Sequence, residues 1–223
     1  MTELHTSDSF NTELASFILS AAPADPARDR ARADAEEFGL TTPDEATGEL
    51  ITLLASLVAT EANAAAIAVT PAAGLVGLYL FRGLGDQGHV TCIDPESEHQ
   101  AQARAVFHTA GFSKFRFLPS RPLDVMERLA DESYRMIVGD VDPAELPAFL
   151  DASWPLLQTG GLVVLLNSLP FVVASDDTDN TPLHAAQAAD SALAERTDAA
   201  VVRLPLGAAG MTIIRKVLPA AAG

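Results

Sequence analysis

The stretch AIAVTPAAGL, residues 66–75, is an apolar run that breaks at a Thr-Pro pair and passes directly into a helical pattern. This order is typical of the first strand of an α/β protein and of the ligand-binding turn after it. The turn holds one glycine, Gly74, and Pro71 removes a backbone N–H, so a pyrophosphate is not expected there. The two alanines before Gly74 still leave room for a nucleoside, and a purely structural turn is the alternative.

The same alternation continues towards the end of the chain. The apolar runs HVTCID, KFRFLP, YRMIVGD and GLVVLLN each precede a helical or less regular segment. Near-continuous apolar strands that alternate with helices predict a parallel sheet covered on both faces. The last two runs, AAVVRLPL and GMTIIRKV, are separated only by GAA and must pair as antiparallel neighbours. We therefore predict an α/β fold with a seven-stranded sheet and a reversed last strand.

The residues before this alternation are predicted to be helical. The patterns indicate helices at 8–20 and 27–37, and a further helix that follows Pro43.

The composition excludes several classes of function. The 223 residues include 14 Lys and Arg against 30 Asp and Glu, a formal net charge of −16. Nucleic acids and anionic membranes attract basic surfaces, so neither is an expected partner. The single cysteine, Cys92, excludes an internal disulfide and a cysteine-based zinc site. No signal peptide or membrane-spanning run is visible, which favours a cytoplasmic protein.

Acidic side chains end two of the predicted strands. Asp94 follows Gly74 by twenty positions, a spacing at which a carboxylate can accept both hydroxyls of a ribose. The alternative is that Asp94 caps the next helix, with Pro95 in its first turn. Asp140 and Asp142 end the fourth strand, where they can hold a divalent cation or act as a base, and helix capping is again the alternative.

Other polar residues add less. Asn167 ends the fifth strand and can face the same cleft. None of the histidines has a metal-ligand spacing; His99 and His108 read as ordinary positions on one helix, and His184 is a minor candidate for a catalytic role. Motifs of hydrolases and phosphoryl-transfer enzymes are absent from the sequence.

Taken in order, these stretches resemble the S-adenosylmethionine-dependent O-methyltransferases of the catechol/caffeoyl-CoA type, in particular an actinobacterial branch. The similarity includes TTPDEATGELITLLASL, GHVTCIDPESEHQAQARAVFHTAG, RLADESYRMIVGDVDP and LLQTGGLVVLLNSL. It implies the class I methyltransferase sheet, which is Rossmann-like with a reversed last strand, and a homodimer. It also implies two parts, an N-terminal helical extension at 1–38 and a methyltransferase domain at 39–223.

The resemblance implies S-adenosylmethionine as the cofactor. The positions that match the family's cofactor contacts are Thr41, Ala68, Thr70, Pro71, Gly74, Val76, Asp94, Pro95, Ser120, Arg121 and Asp140. Several carry other residue types than the family does: Ala68 replaces an acid, Thr70 and Ala72 replace glycines. Val76 replaces a Ser or Thr, and Arg121 replaces an Asp.

The metal-dependent members hold a divalent cation with the Asp140 position and an Asp-Asn pair, which here reads Leu166-Asn167. Only Asp140 and Asn167 remain of that set, and Pro143 replaces a lysine, so no metal site is assigned. The predicted function is methyl transfer to a hydroxyl of a small molecule, with Asp140 as the base. A catalytically silent, dimeric cofactor-binding or interaction protein is the main alternative, and a nicotinamide-dependent oxidoreductase is a second. Acceptor specificity is expected from the N-terminal helices and from residues 169–185.

Overall fold

A computed structural model describes residues 13–14, 16–18, 20–21, 24–173 and 181–218 of the chain. The strands are β1 Ala65–Val69, β2 His89–Ile93, β3 Phe115–Leu118, β4 Tyr134–Gly139, β5 Leu157–Leu166, β6 Ala199–Leu204 and β7 Met211–Lys216. The helices with described bounds are α1 Pro26–Glu37, α2 Glu45–Val58, α3 Ala73–Leu84, α4 Ser97–Thr109, α5 Pro122–Met126, α6 Leu146–Leu156, α7 Pro170–Val173 and α8 Thr181–Glu195, with a 3₁₀ turn at Pro143–Glu145.

The strands form one seven-stranded sheet in the order β3-β2-β1-β4-β5-β7-β6. Strands β1 to β5 are parallel, and β7 lies antiparallel between β5 and β6. The predicted sheet and its reversed last strand are confirmed. Because the strand order reverses between β1 and β4, a crevice opens at the carboxyl ends of these two strands.

Helices cover both faces of the sheet, and the alternation within β1 shows why. Ala66 and Ala68 pack on the face with α2, α3 and α4, whereas Ile67 and Val69 pack on the face with α6 and α8. Successive side chains of a strand point to opposite faces, so a strand covered on both sides must be apolar throughout.

A charged network around the buried Arg28 ties α1 to the body of the protein. Arg28 donates from Nη1 to Glu45 Oε1 at 2.5 Å and to Glu49 Oε1 at 2.9 Å, both on α2. Tyr79 of α3 donates to Glu45 Oε2 at 3.1 Å, and burial together with this carboxylate raises the pKa of Tyr79 to about 12. The described part of the N-terminal extension therefore packs on the sheet domain, and the boundary at residue 38 stays a prediction.

The structure differs from the predicted elements in detail. The run LDVMERLA, residues 123–130, has a helical pattern, but helix α5 is limited to Pro122–Met126 because a turn follows at once. Strand β5 starts earlier than predicted, at Leu157. The helix predicted at 8–20 falls largely outside the described residues, although its described positions are helical. None of the helices in the described ranges is long and apolar enough to cross a membrane.

Candidate functional site

A cleft of about 400 Å³ lies at the carboxyl ends of β1, β2 and β4, within the size range of small-molecule sites. Among the predicted site residues it brings together Thr70, Pro71, Asp94, Pro95, Arg121 and Asp140. These residues follow four different strands, β1 to β4, so the parallel topology, and not proximity along the chain, assembles the cleft.

The turn after β1 forms one wall. Thr70 is buried, and its Oγ1 accepts the N–H of Ala72 at 3.2 Å, which closes a tight turn without a glycine. Ala72 is the N-cap of α3 and offers no side-chain acceptor to the first turn. No side chain therefore caps the start of α3, where the positive end of the helix dipole lies next to the turn.

Asp94 is 3% exposed at the end of β2. Its Oδ1 accepts the N–H of Glu96 at 3.3 Å, and its Oδ2 lies 2.7 Å from Nδ1 of His99. Helix α4 begins at Ser97 with Glu96 as its N-cap, so Asp94 is not the capping residue and Pro95 precedes the helix. Asp94 thus precedes the assigned N-cap, although its Oδ1 still bonds to a backbone N–H at the start of the helix, and its Oδ2 faces His99 beside the cleft.

His99 also lines the cleft, although its place in the sequence predicts only an ordinary helical position. It lies in the first turn of α4, and its ring packs edge-on against Phe38 with the centroids 5.0 Å apart. A signal was present in the sequence, because an Asp at a strand end and a His five residues later, just inside the next helix, can meet. Of the other histidines, His184 is exposed on α8 and does not line the cleft.

Asp140 ends β4 and lies between this cleft and a hollow of about 160 Å³ that Thr41 and Asn167 also line. Its N–H donates to Val69 O at 2.8 Å, which holds it against the end of β1. Burial raises the pKa of the Asp140 carboxyl, and a hydrogen bond from Asn167 Nδ2, at 3.2 Å to Oδ1, opposes that rise. Asp140 thus has the environment of a carboxylate that takes up a proton more readily than usual.

Asp142, in contrast, serves the backbone. Its Oδ1 accepts the N–H of Ala144 at 2.8 Å and caps the 3₁₀ turn that starts at Pro143. Of the two interpretations of this carboxylate pair, capping therefore holds for Asp142, whereas the Asp140 carboxyl accepts a hydrogen bond from Asn167.

The residues present do not fit a divalent cation. Asn167 Oδ1 accepts the N–H of Ala208 at 3.2 Å, and its Nδ2 donates to Asp140, so its oxygen is turned away from the carboxylate. Leu166 is 6% exposed and offers no ligand atom. In the described part of the chain, no group of three or more His, Cys, Asp or Glu is arranged to hold a metal ion. Hard cations need several oxygen ligands, which this place does not supply.

The remaining predicted cofactor positions lie outside the main cleft. Ala68 and Val76 are completely buried in the core. Gly74 lies where α3 approaches α4, with an added Cβ only 3.4 Å from Ala103 Cα. Ser120 is half-buried beside the cleft but does not line it. Packing in the core, which local sequence does not reveal, keeps the Ala68 and Val76 side chains from lining this cleft.

The cleft is strongly acidic. Asp94, Glu96, Asp124, Asp140, Asp142 and Glu145 line it, against one guanidinium, Arg121. Low-dielectric walls focus the field of such a set, so the cleft favours a ligand that carries positive charge.

Comparison with known proteins agrees with this architecture. A model of the O-methyltransferase family matches residues 35–217. A Mycolicibacterium smegmatis protein assigned to the O-methyltransferases is 35% identical over 189 residues, 83% of this chain and 88% of that protein. A Corynebacterium glutamicum protein of known crystal structure is 49% identical, with a TM-score of 0.88 over 94% of this chain and 98% of that one.

A more distant structure shares the fold. The O-methyltransferase TomG of Streptomyces achromogenes, crystallised with S-adenosylmethionine, is 21% identical with a TM-score of 0.79, over 98% of this chain and 100% of that one. Together with the family match over most of the chain, these findings confirm the family identified from the sequence. The chain belongs to the O-methyltransferase family.

Proposed function

We propose that the protein transfers the methyl group of S-adenosylmethionine to a hydroxyl of a small molecule, without a divalent cation. The observation that carries the proposal is the placement of two carboxylates, Asp94 and Asp140, on either side of β1 in one cleft of an O-methyltransferase. TomG and a Bacillus cereus O-methyltransferase of the same fold were crystallised with S-adenosylmethionine and S-adenosylhomocysteine, respectively, which supports the choice of cofactor.

The chemistry of the cleft suits this cofactor. Asp94 offers a buried carboxylate to a ribose, and the small residues of the Thr70–Ala72 turn leave room beside the start of α3. The surplus of carboxylates suits the positive sulfonium. Arg121, at the rim, stands where the family carries an Asp, but its guanidinium cannot accept a hydrogen bond and so cannot do what that Asp does. It can only donate hydrogen bonds to oxygen or nitrogen atoms of a ligand.

Asp140 is the proposed base. When bound, S-adenosylmethionine supplies a methyl group activated by the adjacent sulfonium. The Asp140 carboxylate would take the proton of the acceptor hydroxyl, whose oxygen would receive the methyl group that the bound cofactor supplies. The pKa of the Asp140 carboxyl is raised, and a general base is most effective when its pKa lies near the operating pH. The hydrogen bond from Asn167 holds the orientation of this carboxylate. Alignment of the hydroxyl with the methyl group is expected to supply much of the rate.

The acceptor is proposed to enter from the side of the hollow that Thr41, Asp140 and Asn167 share. This hollow lies between the residues before α2 and the end of β5. The former directly follow the N-terminal helices and the latter directly precedes residues 169–185, the two segments expected to set acceptor choice. A small molecule with a hydroxyl is the class that fits a space of about 160 Å³ next to one base. The homodimer implied by the resemblance is likewise a proposal, which light scattering of the purified protein tests.

The test is calorimetry with S-adenosylhomocysteine, with and without Mg²⁺, followed by product detection with a panel of phenols and other hydroxyl compounds. We expect micromolar binding that Mg²⁺ does not change, and methylated product that requires Asp140. Absence of binding in a folded sample would contradict the cofactor. Binding with no product from any acceptor, in wild type and Asp140→Asn alike, would instead favour the silent binding protein.

A further inference from the structure

His99 connects the end of the N-terminal helix α1 to the carboxylate at the end of β2. Phe38 is the C-cap residue of α1, and its ring contacts the His99 imidazole edge-on. On its other side, the imidazole contacts Asp94, with Nδ1 2.7 Å from Asp94 Oδ2. His99 lines both the main cleft and the small hollow beside Gly74.

The hydrogen-bond pattern defines what His99 does for Asp94. An ionised carboxylate only accepts hydrogen bonds, so the Nδ1 atom that faces Asp94 carries a proton. The donor reaches Oδ2, while the backbone N–H of Glu96 reaches Oδ1. The two oxygens of one carboxylate are thus held from two different directions.

Without His99, Asp94 would be poorly fixed. The terminal torsion of an aspartate side chain is broad, and one N–H at 3.3 Å on a single oxygen does not prevent its rotation. A carboxylate that is 3% exposed also needs partners in place of water. A ligand that bonds to both oxygens binds more tightly when the carboxylate is already oriented.

We propose that His99 is a positioning residue, which holds the Asp94 carboxylate in the orientation that accepts the hydroxyls of a ribose. His99 thereby sets the preference for a ribose over a sugar that lacks these hydroxyls. This inference rests on the proposed adenosyl cofactor. It also gives α1 a part in cofactor recognition, because Phe38 packs on the imidazole that orients Asp94.

The experiment measures ribose preference by calorimetry with two probes, S-adenosylhomocysteine and its 2′,3′-dideoxy analogue. The informative variants are His99→Asn and His99→Gln, since the amide nitrogen of Asn falls near the place of Nδ1 and that of Gln near the place of Nε2. His108→Gln is the matched control, because His108 is exposed on the same helix and also contacts a phenylalanine edge-on.

We expect wild type to prefer S-adenosylhomocysteine over the analogue by at least about tenfold, as hydrogen bonds to a charged group require. His99→Asn and His108→Gln should keep this preference, and His99→Gln should lose most of it while its unfolding temperature stays close to that of wild type. If His99→Gln does not fold, His99→Leu, which retains the contact with Phe38 but has no donor, replaces it with the same expectation.

Two other results overturn the inference in distinguishable ways. A folded wild type that binds neither probe removes the proposed cofactor, and the role of His99 with it. A wild type with the expected preference and a His99→Gln variant that retains it leaves the cofactor in place and removes only the role of His99.

Discussion

Asn167 donates its Nδ2–H to Asp140 Oδ1 at 3.2 Å, so the ends of β5 and β4 are joined by one side-chain hydrogen bond. The amide cannot be reversed without loss, because its Oδ1 accepts the N–H of Ala208 at 3.2 Å. Asn167 adopts this position with φ 51°, a left-handed conformation that Asn tolerates better than most residues. The side chain that resembles a metal ligand by sequence is therefore arranged as a hydrogen-bond donor to the proposed base.

Asp140→Asn should separate catalysis from binding and stability. Loss of a general base is expected to lower turnover by about 100- to 10,000-fold. Since burial disfavours the ionised carboxyl and Asn can still accept from Asn167, the unfolding temperature at pH 7 should equal or exceed that of wild type. Product formation, S-adenosylhomocysteine calorimetry and thermal unfolding check this. Near-normal turnover would exclude Asp140 as the base.

The pH dependence of kcat/KM should report Asp140. Its pKa is raised in the folded protein, so the base is lost as pH falls through a value higher than the ordinary pKa of an Asp carboxyl. Asn167→Ala removes a hydrogen bond that lowers this pKa, and should move the acid limb to higher pH.

The pH dependence of the free energy of unfolding should report the same raised pKa of Asp140 by an independent measurement. Between the unfolded and the raised folded pKa, the folded state binds more protons, so the contribution of Asp140 destabilises the fold as pH rises through this window. Urea unfolding across pH should show that Asp140→Asn lacks this contribution.

Identical acid limbs of the kcat/KM profiles of wild type and Asn167→Ala would contradict the assignment of this limb to Asp140.

Leu166→Asp should create the carboxylate that a cation site lacks. Leu166 is buried and lines the hollow with Asp140 and Asn167, so a new charge there should destabilise the protein by several kcal/mol, on the order of the penalty for an uncompensated buried charge. Mg²⁺ should restore part of the lost unfolding temperature in this variant. Leu166→Asn is the control for size, and it should respond less. A wild type stabilised by Mg²⁺ as much as the variant would show that a complete site already exists.

The acidic cleft should distinguish the charged cofactor from its neutral product. S-adenosylmethionine carries a sulfonium that S-adenosylhomocysteine lacks, so it is expected to bind a few-fold more tightly at low salt, with a smaller advantage at high salt. Arg121→Gln should enlarge the difference and Asp124→Asn should reduce it. Calorimetry at two ionic strengths measures both effects. A ratio that salt and both variants leave unchanged would remove this electrostatic account.

Arg28 should contribute more to the stability of the fold than Arg30, which also lies on α1. The Arg28 side chain is 6% exposed and pairs with Glu45 and Glu49. Arg28→Ala removes these charge-assisted hydrogen bonds but leaves Glu45 with Tyr79 and Glu49 with Arg82, so it is expected to cost about 1–3 kcal/mol. Arg30 is 73% exposed beside Asp34, and Arg30→Ala should change stability by less than about 1 kcal/mol. Urea unfolding compares the two. Equal effects would mean that the network does not anchor α1.

Much of the fold follows from the sequence because its signals are local. The apolar runs around Ile67 and Val138 are buried on both faces of the sheet, and the close spacing of the last two runs requires an antiparallel pair. Strand ends therefore predict where Asp94 and Asp140 lie, since parallel strands bring their carboxyl ends to one edge. Helix bounds are less certain from sequence, as α5 shows.

The role of each strand-end residue, in contrast, depends on contacts between segments that are distant in the sequence. The acidic residues Asp140 and Asp142 look alike in the sequence, yet one is buried against β1 and Asn167, and the other caps the turn at Pro143. The sequence around His99 predicts only an ordinary helical residue, whereas in the structure Phe38 and Asp94 lie on either side of its ring. Secondary structure depends on hydrophobic periodicity within a short stretch, which the sequence contains. Side-chain hydrogen bonds and burial depend on which neighbours the tertiary structure brings from elsewhere in the chain.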